Sequence, residues 1–332
     1  MFDFSGKRGW FFLISILILI PGLISLAIPP RLKPGIDFSS GATFTVDFKA
    51  DPEVATLRAA LSEFGYHDSR VQRTTGGEFI VRTAGLDEAS ASPDQQSPRA
   101  KLEEDLRGRF GPMVDSDGAE TGPEGRPAGF QDFSSVSEAV SLDIARNAAF
   151  AVAIAAVAIL IYISWAFRHV PRPFRYGVAA VVALAHDALL VLGVFSIFGK
   201  VFNMEVNAMF ITGVLTVIGF SVHDTIVVFD RVRENIATHP GIRLEQAVNI
   251  SLTDTLSRSI NTSLTVVITV VALLLLGGDG IRSFLLVLLI GIVAGTYSSI
   301  AVATQILVAW ENGDFGRLLR WLRIRKTVPG EA

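Results

Sequence analysis

Runs of about twenty apolar residues alternate with polar connections along the chain. They predict six membrane spans, at roughly residues 10–28, 148–167, 177–198, 208–229, 257–276 and 284–310. The fifth run is the shortest. Its purely apolar part, Ile260 to Leu276, rises only about 25 Å, so a span there must draw in Arg258 and Ser259. The first run follows Lys7 and Arg8 as a secretory signal would, but it exceeds the usual apolar region of one and ends in "IPPRLKPG" without a small-x-small cleavage site. It reads as a retained anchor.

Between the first two spans the period changes. "ATFTVDF" (42–48) alternates as a strand, and "DPEVATLRAALSEFG" (51–65) has helical spacing, with Asp51 expected as its cap and Pro52 at its first position. "SRVQRTTGGEFIVRT" (69–83) reads as two strands about a Gly-Gly turn, "PRAKLEEDLRGRF" (98–110) as a second helix, and residues 130–137 as a last strand. The order β-α-β-β-α-β is that of a split βαβ, ferredoxin-like α+β domain. "GLDEASASPDQQS" (85–97) is expected to be a mobile insertion, and residues 111–128, rich in Gly, Pro and Asp, an exposed loop. The expected organisation is thus an N-terminus and first span (1–30), an α+β domain (31–143), five further spans (144–311) and a basic tail (312–332).

Composition agrees with a polytopic α-helical membrane protein: 50% of residues are hydrophobic, 18% are charged, and the mean hydropathy is +0.46. The absence of cysteine excludes disulfides, thiolate metal sites and cysteine nucleophiles. The net charge of −3 decides little, but the placement of cations decides orientation. One set of short connections holds Lys7 and Arg8; Arg168, Arg172 and Arg175; Arg231, Arg233 and Arg243; and Arg317, Arg320, Arg323, Arg325 and Lys326, whereas the opposite set holds Lys200 and Arg282. The positive-inside rule therefore places both termini in the cytoplasm and residues 31–143 outside. "RLLRWLRIRK" (317–326) suits a short helix on an anionic leaflet, so membrane lipid rather than nucleic acid is its expected contact.

Few ionisable residues fall inside the spans: His186 and Asp187 in the third, His223 and Asp224 in the fourth, and Arg258 at the start of the fifth. An ionised group in hydrocarbon costs about 2.5–3.5 kcal/mol on insertion scales and marks a functional site unless it only orders helix packing. Asp224 lies about 8 Å inside the end of its run, and an antiparallel fifth span brings Arg258 to a comparable, slightly shallower level. Spacing leaves Arg258 open between a snorkelling anchor and a partner that holds Asp224 ionised. Asp187 is the second candidate proton carrier. His186 and His223 each precede an aspartate and so point about 100° from it; packing is their first reading and proton transfer the second. Nothing resembles a metal motif such as HExxH, and no cofactor is expected. Gly291 and Gly295 give the last span a face for close helix approach, with Ser298 and Ser299 available for interhelical bonds.

"GIDFSSGATFTVDF", "HDALLVLGVFS", "GFSVHDTIVVFDRVREN", "SLTDTLSRSINTS" and "GTYSSI", spread over nearly the whole chain, resemble the SecD/SecF family of protein-export membrane subunits. The resemblance implies a fold like that of resistance-nodulation-division (RND) transporters and a non-enzymatic role in the bacterial cytoplasmic membrane. It implies work with SecD beside the SecYEG channel, with YajC and YidC as further partners, using the proton motive force to complete export of unfolded preproteins. The family's membrane carboxylate falls on Asp224 and its associated arginine on Arg258. Position 223 is His where many members have Asn, Ser40 stands at a glycine position, and residues 111–128 are longer than the usual outer loop. Two other functions compete. Half of an RND-type small-molecule exporter would bring a second large outer domain and six further spans, and an intramembrane aspartyl protease built on Asp187 and Asp224 would need settings such as YD and GxGD.

Overall fold

The computed structural model describes residues 3–39, 41–67, 69–74, 76–83, 86, 97–115, 119–120 and 128–314. In chain order the elements are helix α1 (Arg8–Ala27), α2 (Ile36–Ser39), strand β1 (Gly41–Phe48), α3 (Val54–Glu63), β2 (Arg70–Arg73), β3 (Phe79–Thr83), α4 (Pro98–Phe110), β4 (Met113–Val114) and β5 (Gln131–Val136). There follow α5 (Glu138–Ala166), α6 (Pro173–Val201), α7 (Ala208–Thr238), α8 (Leu244–Leu276), α9 (Arg282–Ser298), a π-helical turn (Ser299–Ala303) and α10 (Thr304–Glu311). They form two compact units, one of residues 34–147 and one of residues 1–33 with 148–332.

Six helical stretches of the described residues are long and apolar enough to cross a membrane, the last running unbroken from α9 through the π turn into α10. Helix starts follow local chemistry: Pro173 opens α6, where its missing N–H costs nothing, and the Asn207 side chain accepts the Phe210 N–H at 3.0 Å to cap α7. Glycine sets the packing. A Cβ on Gly22 of α1 would lie 2.8 Å from the Gly193 Cα of α6, so those backbones touch. Along α9, a Cβ on Gly291 would meet Val217 of α7 at 2.2 Å, and one on Gly295 would meet Ser221 at 2.9 Å. This is the close approach expected of that glycine face.

Several helices overrun their apolar runs, α5 beginning at Glu138 rather than near 148. α7 continues past Phe229 to Thr238, and α8 begins at Leu244 rather than near 257, so the fifth span belongs to the longest helix and not to a marginal one. Apolar contacts and ion pairs hold the α7 and α8 extensions. Val228, Val232, Val248, Leu252, Val308 and Phe4 form one buried cluster, while Arg231 pairs with Asp254 at 2.7 Å and with Glu234 at 2.8 Å.

In the α/β unit the strand order is β2-β3-β1, with β4 and β5 both along the remaining edge of β1, and every neighbouring pair is antiparallel. Alternation along β1 buries Ala42, Phe44, Val46 and Phe48 against Leu57 and Leu61 of α3 and Leu102 and Leu106 of α4. Two local expectations fail. Asp51 does not cap α3: it sits at φ 43° in the turn after β1 and accepts from Arg73, and α3 starts at Val54 after Glu53. Residues 113–114 are not loop but the short strand β4, paired with Asp47 and Phe48, and two residues carry no period to read. The tail segment 317–326, and 85–97 apart from Leu86 and Ser97, lie outside the described residues, as does most of 116–127.

Candidate functional site

Asp187 is 1% exposed, in the middle of α6. Its Oδ2 accepts from the Ser221 hydroxyl of α7 at 2.6 Å and the Ser298 hydroxyl of α9 at 2.7 Å, while Oδ1 lies 3.0 Å from Nδ1 of His186. These three contacts around one carboxylate pin three helices together. The other ring nitrogen of His186, Nε2, is buried with no hydrogen-bond partner among the described residues. The 100° offset of adjacent helical positions does not keep this pair apart, because the imidazole turns back across the helix to reach the carboxylate.

Asp224 is 3% exposed on α7 and more loosely bonded: its Oδ2 accepts from the Thr296 hydroxyl at 3.3 Å, and the Ser263 hydroxyl of α8, 2.5 Å from that of Thr296, is its second hydroxyl partner. One residue on, Thr225 donates to the Ser221 carbonyl at 3.1 Å and lies 2.9 Å from the Ser299 hydroxyl. The two carboxylates thus lie on one polar seam crossing α6, α7, α9 and α8, each with its own partners; among the described hydrogen bonds none is shared between them. The π turn begins at Ser299, one residue after the Ser298 that serves Asp187. Such turns in helices concentrate at functional sites.

The structure leaves the other two candidates off the seam. His223 is exposed on α7. Arg258 is exposed as well, and among the described ion pairs none joins it to Asp224. It lines a polar cleft of about 430 Å³ between α7 and α8 with Val227, Asp230, Arg231, Glu234, Asp254 and Thr255. Arg258 precedes Ser263, which marks the level of Asp224, by about 7.5 Å along α8, and among the described ion pairs Arg258 and Asp224 are not joined. Sequence reasoning passed over Ser221, Ser263 and Thr296. No periodic signal set them apart from the other hydroxyl residues of the spans; only helix rotation makes them specific.

Fold and seam together define a polytopic membrane protein in which buried carboxylates and small hydroxyl residues tie the central helices, the setting in which intramembrane charge is functional. The family model described as "Protein export membrane protein SecD/SecF, C-terminal" matches residues 124–313. The chain is 45% identical to "Protein translocase subunit SecF" of Thermobaculum terrenum, covering 96% of this chain and 97% of that one, and 40% identical to the protein of the same name from Anaerolinea thermophila, covering 95% and 96%. A crystal structure of SecDF, a translocon-associated membrane protein from Thermus thermophilus, matches with TM-score 0.73 and 31% identity over 94% of this chain. This chain spans 39% of the length of that SecDF. The chain belongs to the SecD/SecF family of protein export membrane proteins.

Proposed function

We propose that the chain acts as the SecF-type subunit of the bacterial Sec export machinery, joining SecD beside SecYEG, with YajC and YidC as further contacts. In this reading it uses the proton motive force to complete translocation of unfolded preproteins. The observation that carries the reading is the seam itself in a chain of this family: a buried Asp224 loosely held by hydroxyl groups, and Arg258 held a turn or two away on a polar cleft that reaches α7 at Val227, one turn from Asp224. A swing of Arg258 along the α7–α8 groove would pair with and ionise Asp224, and its withdrawal would favour protonation. One charge crossing 100 mV releases about 2.3 kcal/mol, enough to bias two helix arrangements more than tenfold. In this reading the tight Asp187–His186 cluster holds the bundle and Asp224 titrates, with His223 beside it as a secondary member of the relay.

Both termini face the cytoplasm in this account, on the strength of the cation distribution, and residues 34–147 face outward as a ferredoxin-like domain whose fourth strand is split into β4 and β5. The strand order β2-β3-β1-β4/β5 supports that fold. The edge strand β2, with Arg70, Gln72 and Arg73 exposed, suits an extended substrate added alongside it. The test is preprotein export into membrane vesicles that contain or lack this chain. The gradient-dependent part should vanish without it while the gradient-independent part persists. Transport of a substrate by the chain alone in liposomes would count against the subunit reading.

A further inference from the structure

A second feature of the membrane unit, sharing no lining residue with Arg258's cleft, is not used by the export reading. α1, α6 and the π turn with α10 enclose an apolar groove of about 770 Å³, within the size range of ligand sites. Along α6 it runs from Val178 to Leu189, about 16 Å, close to the depth of one leaflet of a ~30 Å hydrocarbon core. Apart from Ser15 and His186 its walls carry only apolar side chains and Trp310, and the Ser15 hydroxyl is already bonded to Tyr297 at 3.1 Å.

One end of the groove is cationic. Trp310 lines it, the Arg175 guanidinium lies 5.5 Å from the Trp310 ring centre, and Arg172 and Arg175 both pair with Glu311, the next residue, at 2.9 and 2.5 Å. Two guanidiniums against one carboxylate leave one net positive charge at the mouth. The other end reaches His186, whose Nδ1 is the Asp187 neighbour. We propose that the groove is a binding site for one acyl chain of an anionic phospholipid, its phosphate held by Arg172 and Arg175 and its chain lying beneath Trp310 toward His186. Groove length, apolar lining and the charge at one end together specify an anionic lipid over a zwitterionic one; a basic pocket between spans is the usual form of such a site.

The full chain, reduced to Trp310 by Trp10→Phe, Trp165→Phe and Trp321→Phe, provides the reporter in phosphatidylcholine vesicles. Bromine-labelled acyl chains quench a tryptophan they touch. Labelled phosphatidylglycerol should half-quench Trp310 at about fivefold lower mole fraction than labelled phosphatidylcholine, the factor that one net cation near the surface confers. Arg172→Gln with Arg175→Gln should remove the preference, and the paired Lys substitutions should keep it. Ala185→Phe, which fills the groove from an exposed position, should reduce quenching by both lipids. Equal quenching by the two lipids overturns the proposal, as does a preference that survives Ala185→Phe. Displacement of the labelled lipid by free glycerol phosphate would show a site for the phosphate alone and would overturn the acyl-chain assignment.

Discussion

Gly291→Ala adds one methyl group at a point where the structure has no space for it. The new Cβ would stand 2.2 and 2.5 Å from the two γ carbons of Val217, against an unstrained carbon separation of about 3.5–4.0 Å, so α9 and α7 must part by about 1.5 Å. Thr296 lies five residues on along α9, and its 3.3 Å bond to Asp224 spans this same α7–α9 gap, so it would lengthen past bonding distance. Overpacking costs about 1–3 kcal/mol and a lost bond to a charged acceptor about 1.5–3 kcal/mol, giving about 2.5–6 kcal/mol in all. The substitution therefore reaches the polar seam without touching a polar residue. Thermal unfolding in detergent, followed by tryptophan fluorescence, should show a drop of several degrees or more, whereas Gly9→Ala, with nothing within 4 Å of its Cβ, should show none. Val217→Ala removes both clashing carbons and leaves only its Cβ at 2.9 Å, so the double variant should recover part of the loss, a coupling that independent sites would not show. A Gly291→Ala protein as stable as the parent would refute the close α7–α9 packing and the account of the seam built on it.

Other outcomes follow from the same geometry. Asp187→Asn presents an NH₂ group to at least one of the three groups that now face carboxylate oxygens; it should lower stability by about 1–3 kcal/mol in the same melt while sparing the response to a proton gradient. Asp3 accepts the Gly6 N–H at 2.8 Å and the Asn249 side-chain N–H at 2.9 Å, which hold its carboxyl below the usual carboxylate value. Because the folded value is the lower one, this hold is complete above the ordinary value of about 3.9 and is lost as pH falls through the depressed one. Hydrogen exchange of residues 3–7, corrected for intrinsic rates, should stay flat from neutral pH to about pH 4 and rise below it. Photocrosslinkers on the exposed β2 positions Arg70 and Gln72 should capture a stalled export substrate; capture only from cytoplasmic connections would contradict the proposed edge-strand contact.

The six spans were legible because hydrocarbon demands long apolar runs, and a charge inside such a run is conspicuous; Asp187 and Asp224 were found that way. Helix ends were not legible where α7 and α8 leave the apolar zone. There the residues are polar, and what keeps them helical is packing of Val232 against Val248 and pairing of Arg231 with Asp254, contacts between positions distant in sequence. The Asp51 cap failed for a similar reason: its side chain is taken by Arg73, at the end of β2 beyond α3. The partners of the carboxylates were hidden because serine and threonine are common in spans and become specific only when helix rotation is known. Ser298 and Ser299 stood out beside Gly291 and Gly295, whereas Ser221, Ser263 and Thr296 carried no such signal. The Arg258 position along α8 was readable from spacing, but whether its side chain turns to Asp224 or to the cleft of Asp230 and Asp254 was not.

The central claim is that Asp224 carries the proton and Arg258 sets its charge. Gradient-dependent preprotein export, measured in membrane vesicles holding Asp224→Asn, Asp187→Asn, Arg258→Ala or Arg258→Lys at matched protein levels, tests it directly. The account predicts that Asp224→Asn and Arg258→Ala abolish the gradient response, that Arg258→Lys restores only part of it because an ammonium lacks the planar fork, and that Asp187→Asn retains it. Full gradient-dependent export by Asp224→Asn together with its loss in Asp187→Asn would move the relay to α6 and contradict the account.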